Sequence, residues 1–312
     1  MNKILSFIGI MALSVQAQAE LAKPVVSRDA NGTVTITGTN VRYSLDGSEP
    51  GLSSGKYLAP IALPGGGMVK ARAFSEVAEA KFEPLAGATA QPSSLVPLTQ
   101  SRDSWYNWEK RHAEICALVR ECKPQLVFIG DSITHLFGGE PKGRANGAEV
   151  WKKYYGTRNA LNLGYGWDRT ENVIWRLQHG ELDGATPKVA VLMIGTNNRD
   201  LNSPADIAAG VRAICAEIKQ RSPQTKILLL AVFPRGAKPD NTRLKTDELN
   251  QLLAKMEGVT FLDIGAKFMN PDGSISPEIM GDYLHPTAKG YEIWAEAMEP
   301  TLRKMLGETD AQ

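Results

Sequence analysis

The period of the apolar positions changes near residue 100, and that change divides the chain. Within residues 20–84, Thr33-Val34-Thr35-Ile36-Thr37 and Val69-Lys70-Ala71-Arg72-Ala73-Phe74 place an apolar residue at every second position. That is the period of a strand with one buried face. Asp46-Gly47-Ser48 and Pro64-Gly65-Gly66-Gly67 supply turns between such runs. The pattern predicts a small all-β module of sandwich type over 20–84. Residues 85–100 carry Pro92 and Pro97 among Gly, Ala and Ser, directly after Pro84, and read as a linker.

From Ser101 the pattern is different. Solid apolar runs at 126–129, 160–163, 189–194, 227–232 and 260–262 predict five strands. Helical periods at 105–119, 171–177, 205–219 and 288–305 separate them. Strand and helix in alternation imply a parallel sheet with helices on both faces, a three-layer α/β/α domain over 101–312. Ser203-Pro204 and His285-Pro286 are helix-start signals.

Composition narrows the function classes. A net charge of +1, with 22% charged and 43% hydrophobic residues, gives no electrostatic footprint for nucleic acid or an acidic membrane surface. The 3 Cys and 4 His show no zinc-type spacing, so no metal is expected. Lys3, the apolar stretch 4–15 and Ala17-Gln18-Ala19 read as a signal peptide over 1–19, too short to span a membrane. The expectation is an exported protein, periplasmic or secreted, beginning at Glu20, with no membrane span and no lipid-anchor cysteine. Export would permit a Cys116–Cys122 disulfide if the chain bends back after its helix; free thiols are the alternative, and Cys215 is expected to be free.

Four short segments, each at the end of an apolar run, carry candidate chemistry. Ser132 of Gly130-Asp131-Ser132 follows the first strand, where open α/β folds place their sites. A serine hydroxyl needs a base in reach, and the base needs an orienting group. Asp282-x-x-His285 supplies both from one turn. Asn162-Leu163-Gly164 and Gly195-Thr196-Asn197 supply donors for an oxyanion: the N–H of Ser132, the N–H of Gly164 and the side-chain amide of Asn197. His135, near Ser132, is a pocket-lining candidate with nothing local to orient it as a base. His112 and His179 lie in helical stretches and are expected to face solvent.

Ser132, Gly164, Asn197 and His285, in that order, match the four block residues of the SGNH (GDSL-type) hydrolases, which the chain resembles from about Ser101 to Leu302. Gly130-Asp131-Ser132-Ile133-Thr134, the run from Ile174 to Leu182, Ile194-Gly195-Thr196-Asn197-Asn198 and Phe233-Pro234-Arg235-Gly236 resemble the catalytic subunits of platelet-activating-factor acetylhydrolase and their bacterial relatives. The resemblance implies a flavodoxin-like sheet of five parallel strands, no cofactor, and hydrolysis of short acyl esters, acetyl above all. Tyr43-Ser44-Leu45-Asp46-Gly47-Ser48-Glu49-Pro50 and Val69-Lys70-Ala71-Arg72-Ala73 resemble the immunoglobulin-like C-terminal module of chitobiases and hexosaminidases, which implies a carbohydrate context.

Two departures concern substrate binding. Relatives often have Gly-Gly-Asp where this chain has Gly166-Trp167-Asp168, so Trp167 would narrow the acyl pocket or stack on a sugar, or else pack against the following helix. The stretch 138–149 is longer than in the animal enzymes, and its Arg144 is a candidate for the leaving-group site. The reading is an exported serine esterase that removes acetyl groups from a small acylated substrate, an acetylated glycan. The alternatives are a phospholipid or lysophospholipid esterase, and a carbohydrate-binding or adhesive protein with an unused hydrolase domain. Oligomeric state is not legible.

Overall fold

A computed structural model describes residues 23–51, 54–100 and 105–308. The expected signal peptide lies outside the described residues. Two compact units, Met1–Trp105 and Tyr106–Gln312, make up the chain.

The first unit holds seven short strands: β1 Val25–Arg28, β2 Thr33–Thr37, β3 Arg42–Ser44, β4 Gly55–Lys56, β5 Ile61–Ala62, β6 Gly67–Ala73 and β7 Glu76–Phe82. They form two antiparallel sheets, ordered β1-β2-β5 and β4-β3-β6-β7. The alternation in the sequence is the burial pattern itself: Val34 and Ile36 of β2, and Val69, Ala71 and Ala73 of β6, fill the core while their neighbours stay outside it. The stretch read as linker does not end as free chain. Val96 and Leu98 are buried in this same core. Apolar side chains that reach a hydrophobic core outweigh the turn chemistry of the prolines around them.

The second unit is a five-stranded parallel sheet with helices on both faces. In chain order its elements are α1 Trp108–Cys122, β8 Leu126–Gly130, α2 Ser132–His135, α3 Ala148–Tyr155, β9 Ala160–Gly164, α4 Thr170–Gln178, β10 Val189–Met193, α5 Pro204–Arg221, β11 Lys226–Leu230, α6 Asn241–Leu253, β12 Thr260–Leu262 and α7 Ala288–Leu306. The strand order is β12-β11-β10-β8-β9. Val127 and Ile129 of β8, with Ala190 and Leu192 of β10, face one core; Leu126 and Phe128, with Val191 and Met193, face the other. Burial on both faces is why these strands read as solid apolar runs. The chain leaves β8 for β9 on one side and then crosses to β10 on the other. The carboxyl end of β8 is therefore the topological switch point, where such sheets bind ligands.

Three helices are absent from the sequence reading, and one of them, α2, is a single turn of four residues. α6 buries Arg243, Thr246, Leu249 and Leu253, so half of its inward stripe is polar and its period is masked. α3 is only eight residues long and follows a glycine-rich tract. α1 starts three residues later than expected, where the Asn107 side chain accepts from the Lys110 N–H at 2.8 Å. It stays regular through Cys122, so Cys116 and Cys122 do not meet, and all three cysteines are free thiols. His112 does not face solvent as expected. Its ring stacks on Trp108 and its Nε2 lies 3.1 Å from the His179 carbonyl oxygen. His179 is exposed.

Candidate active site

Ser132 opens α2 directly after β8 and is 7% exposed. Asp131 caps that turn, its Oδ1 accepting the Ile133 N–H at 2.9 Å. Burial pushes the Asp131 carboxyl up to about 7 against that hydrogen bond. The Ser132 hydroxyl donates to Nε2 of His285 at 2.8 Å. Nδ1 of His285 donates in turn to Oδ2 of Asp282 at 2.7 Å. The other Asp282 oxygen accepts the Leu284 and His285 N–H groups at 3.1 and 2.7 Å, so one turn fixes acid and imidazole together. Burial alone would raise the Asp282 carboxyl, but these hydrogen bonds hold it below the usual carboxylate range. Acid, imidazole and hydroxyl thus form one continuous line, with the serine buried at one end and the acid side chain 59% exposed at the other.

Gly164 ends β9 beside β8, and a Cβ there would lie 2.3 Å from the His135 nitrogen. Only glycine lets α2 sit this close to the strand end. Its N–H donates to Asn162 Oδ1 at 2.9 Å, a commitment the sequence reading did not anticipate. The Asn162 amide holds the turn after Ser132 through the carbonyls of Thr134 and Gly138, at 2.8 and 2.7 Å. Asn197 follows β10, and its Nδ2 donates one hydrogen to the Asp168 carbonyl at 3.0 Å. The second amide hydrogen is left to point elsewhere.

Tyr165 to Asp168 form a tight turn in which the Asp168 N–H donates to the Tyr165 carbonyl at 3.2 Å. Trp167 takes the left-handed position of that turn, with φ at 68°, and the residue is 39% exposed. A buried charge cluster anchors the turn from below. Trp108 Nε1 and Arg176 Nε each donate to the Asp168 carboxylate at 2.8 Å, and Arg176 also pairs with Glu181. The Arg176 guanidinium lies 3.9 Å from the centre of the Tyr165 ring. Asn198 ties the next segment down, accepting the Thr170 N–H at 3.0 Å and donating to Glu171 at 2.9 Å. Asp168, Arg176, Glu181 and Asn198 stand in the sequence only as members of the family-like runs; nothing local marks them as buried.

His135 is buried. Desolvation, with Arg111 and Arg176 nearby, pulls its pKa down to about 2, so the ring is neutral and its Nδ1 accepts the Gly166 N–H at 3.2 Å. It supports the turn that carries Trp167. Arg144 is not brought to Ser132. The 138–149 stretch folds back along the edge strand, where the Glu140 carbonyl accepts the Asn162 N–H at 3.1 Å, and then enters α3. Arg144 lines a cavity of about 540 Å³ there, whose walls include His135 and Trp151 but none of Ser132, Asn197 or His285. The sheet edge sets this, because a loop leaving α2 on the β9 side must turn away from β10.

A serine, imidazole and carboxylate in hydrogen-bonded line, at the switch point of a parallel α/β sheet, form the arrangement by which serine hydrolases activate a hydroxyl. The GDSL-like lipase/acylhydrolase family model matches residues 128–293, and the Fn3-associated model matches residues 33–81. The chain is 36% identical over 214 residues to platelet-activating factor acetylhydrolase IB subunit alpha2 of Homo sapiens, a match spanning 67% of this chain and 88% of that protein. It is 34% identical over 209 residues to subunit alpha1 of Homo sapiens, spanning 66% and 87%. A solved structure of an acylhydrolase candidate from Bacteroides fragilis NCTC 9343 shares the fold, with a TM-score of 0.52 at 17% identity, covering 65% of this chain and 99% of that one. The chain belongs to the GDSL-like lipase/acylhydrolase family. It is an ester hydrolase.

Proposed function

We propose that Ser132, His285 and Asp282 are a catalytic triad that removes short acyl groups, acetyl first among them. The observation that carries this is the unbroken hydrogen-bond line from Asp282 through His285 to Ser132, at 2.7 and 2.8 Å. Ser132 attacks the ester carbonyl while Nε2 of His285 takes its proton. The same imidazolium then protonates the departing alcohol, and Asp282 stabilises its charge. Water hydrolyses the acyl-enzyme by the same route.

The negative oxygen of each tetrahedral intermediate is held by the Ser132 N–H and the free hydrogen of the Asn197 amide. Gly164 N–H joins them only as a donor shared with Asn162. The acetyl preference is supported by the relatives at 34–36% identity, which are named acetylhydrolases. We further propose an exported enzyme acting on an acetylated carbohydrate, on the strength of the leader-like 1–19 segment and the β module. A p-nitrophenyl ester series from acetyl to octanoyl tests the acyl group, and a panel of acetylated glycans tests the alcohol. Preference for octanoyl over acetyl would overturn the short-acyl reading.

A further inference from the structure

Phe233-Pro234-Arg235-Gly236 follows β11 at the same sheet edge as Ser132, beside the β10 loop that carries Asn197. Arg235 is fastened between the two halves of the site. Its Nη1 donates to Thr196 Oγ1 at 3.3 Å, next to Asn197, while the N–H of Gly236 donates to the Tyr283 carbonyl at 2.8 Å, inside the Asp282–His285 turn. Arg243 fixes the loop from beneath, donating to the Arg235 carbonyl from Nε and Nη2 and to the carbonyls of Gly236 and Gly273.

The two arginines differ in what they do with their donors. Arg243 spends its fork on backbone carbonyls. Among the described residues, the long bond to Thr196 is the one hydrogen bond made by the Arg235 guanidinium. Yet Arg235 is half-buried, and burial and the neighbouring Arg199 both press against its charge. The acids that face it are engaged elsewhere. Asp200 pairs with Arg199 at 3.4 Å, Asp282 holds His285, and Asp131 caps α2. None of the three pairs with Arg235 within ion-pair distance. A partly desolvated guanidinium with most of its fork unspent matches the planar oxygens of an anion.

On the short-acyl reading the acyl part is an uncharged methyl-sized group with nothing to offer a guanidinium, so a group that meets Arg235 is assigned to the alcohol. Resting on the short-acyl reading, we infer that Arg235 recognises an anionic group, carboxylate or phosphate, on the alcohol part of the ester. An acidic acetylated sugar would satisfy both readings at once.

Matched esters test this with the full chain. The acetates of 3-hydroxybenzoate and 3-hydroxybenzamide differ in charge at nearly constant shape, and the acetate of 3-hydroxyphenyl phosphate adds the second anion. Wild type should favour at least one anionic ester over the amide by about tenfold or more in kcat/KM at low salt. The anion with the larger ratio identifies the ligand. The ratio should shrink in high salt, fall toward one in Arg235→Gln and be partly kept in Arg235→Lys. Arg221→Gln, at the end of α5 with its side chain paired to Asp183 and Glu217, should keep the wild-type ratio. A wild-type ratio near one for both anions, or an unchanged ratio in Arg235→Gln, overturns the inference. Should the Gln variant fail to fold, the salt series on wild type and the Lys variant decide between the same two outcomes. If no acetate is hydrolysed, the short-acyl reading fails by itself, and the same charged and neutral pair bearing the accepted acyl chain decides Arg235.

Discussion

Replacing Asn197 by alanine separates chemistry from folding, because the side chain makes one modest structural bond and, on the proposed mechanism, one large bond in the transition state. The structural bond is Nδ2 to the Asp168 carbonyl at 3.0 Å, part-buried. Such a bond contributes ~1 kcal/mol net, and a stability change of that size in a domain of this length moves Tm by about 2–4 °C. The catalytic bond is an oxyanion donor, whose loss lowers kcat by roughly 10²–10³, or about 2.7–4 kcal/mol. The donor acts on charge that develops only after attack, so KM for p-nitrophenyl acetate should stay close to wild type. Steady-state kinetics beside thermal unfolding measure both. A kcat within tenfold of wild type would sink the oxyanion role, and a raised KM at constant kcat would make Asn197 a substrate-binding residue. Asn197→Asp should be worse than alanine, since it sets a carboxylate against both the Asp168 carbonyl and the oxyanion.

Ser132→Ala should lower kcat by at least about 10⁴ with Tm within a few degrees of wild type; turnover near wild type would refute the nucleophile. kcat/KM should fall steeply from acetyl to butyryl esters, and Trp167→Gly should flatten that profile if the indole bounds the acyl pocket; an unchanged profile places the indole in packing. For Asp131, the folded carboxyl near 7 lies above its unfolded value of 3.8, so its contribution to stability is fully present below pH 3.8 and is lost as pH rises through about 7. Asp131→Asn should lack that slope, its stability gaining on wild type by up to about 4 kcal/mol between pH 4 and 8; parallel melting curves for the two proteins would show that Asp131 is not held protonated.

That Ser132, Asp282 and His285 come together was legible because strand ends and turns are local patterns, and each of the three stands at one. The strands of the large sheet were legible for a related reason, since burial on both faces leaves solid apolar runs. Arg176 was not legible. Its burial depends on Asp168 and Glu181 arriving from other turns of the fold, and nothing in Ile174-Trp175-Arg176-Leu177 distinguishes it from a solvated helix arginine. α6 was missed for the same kind of reason, because Arg243 looks outward in sequence yet faces inward to hold the Arg235 loop. Arg144 shows the limit of chain proximity: the turn back along β9 places it on a cavity that His135 also lines but Ser132 does not.

The turn from Tyr165 to Asp168 is pinned by its backbone and by the carboxylate on its inner side, while the residue at its tip points out. The Asp168 carbonyl that aims Asn197 is thereby held from the inner side of the turn, one residue after position 167. The tip is a selective seat: its left-handed backbone admits glycine or asparagine more readily than a branched side chain, so a chain with tryptophan there carries a bulky ring at the cost of that conformation. Glycine at that position would release the strain and the ring together, while the Asp168 anchor stays in place.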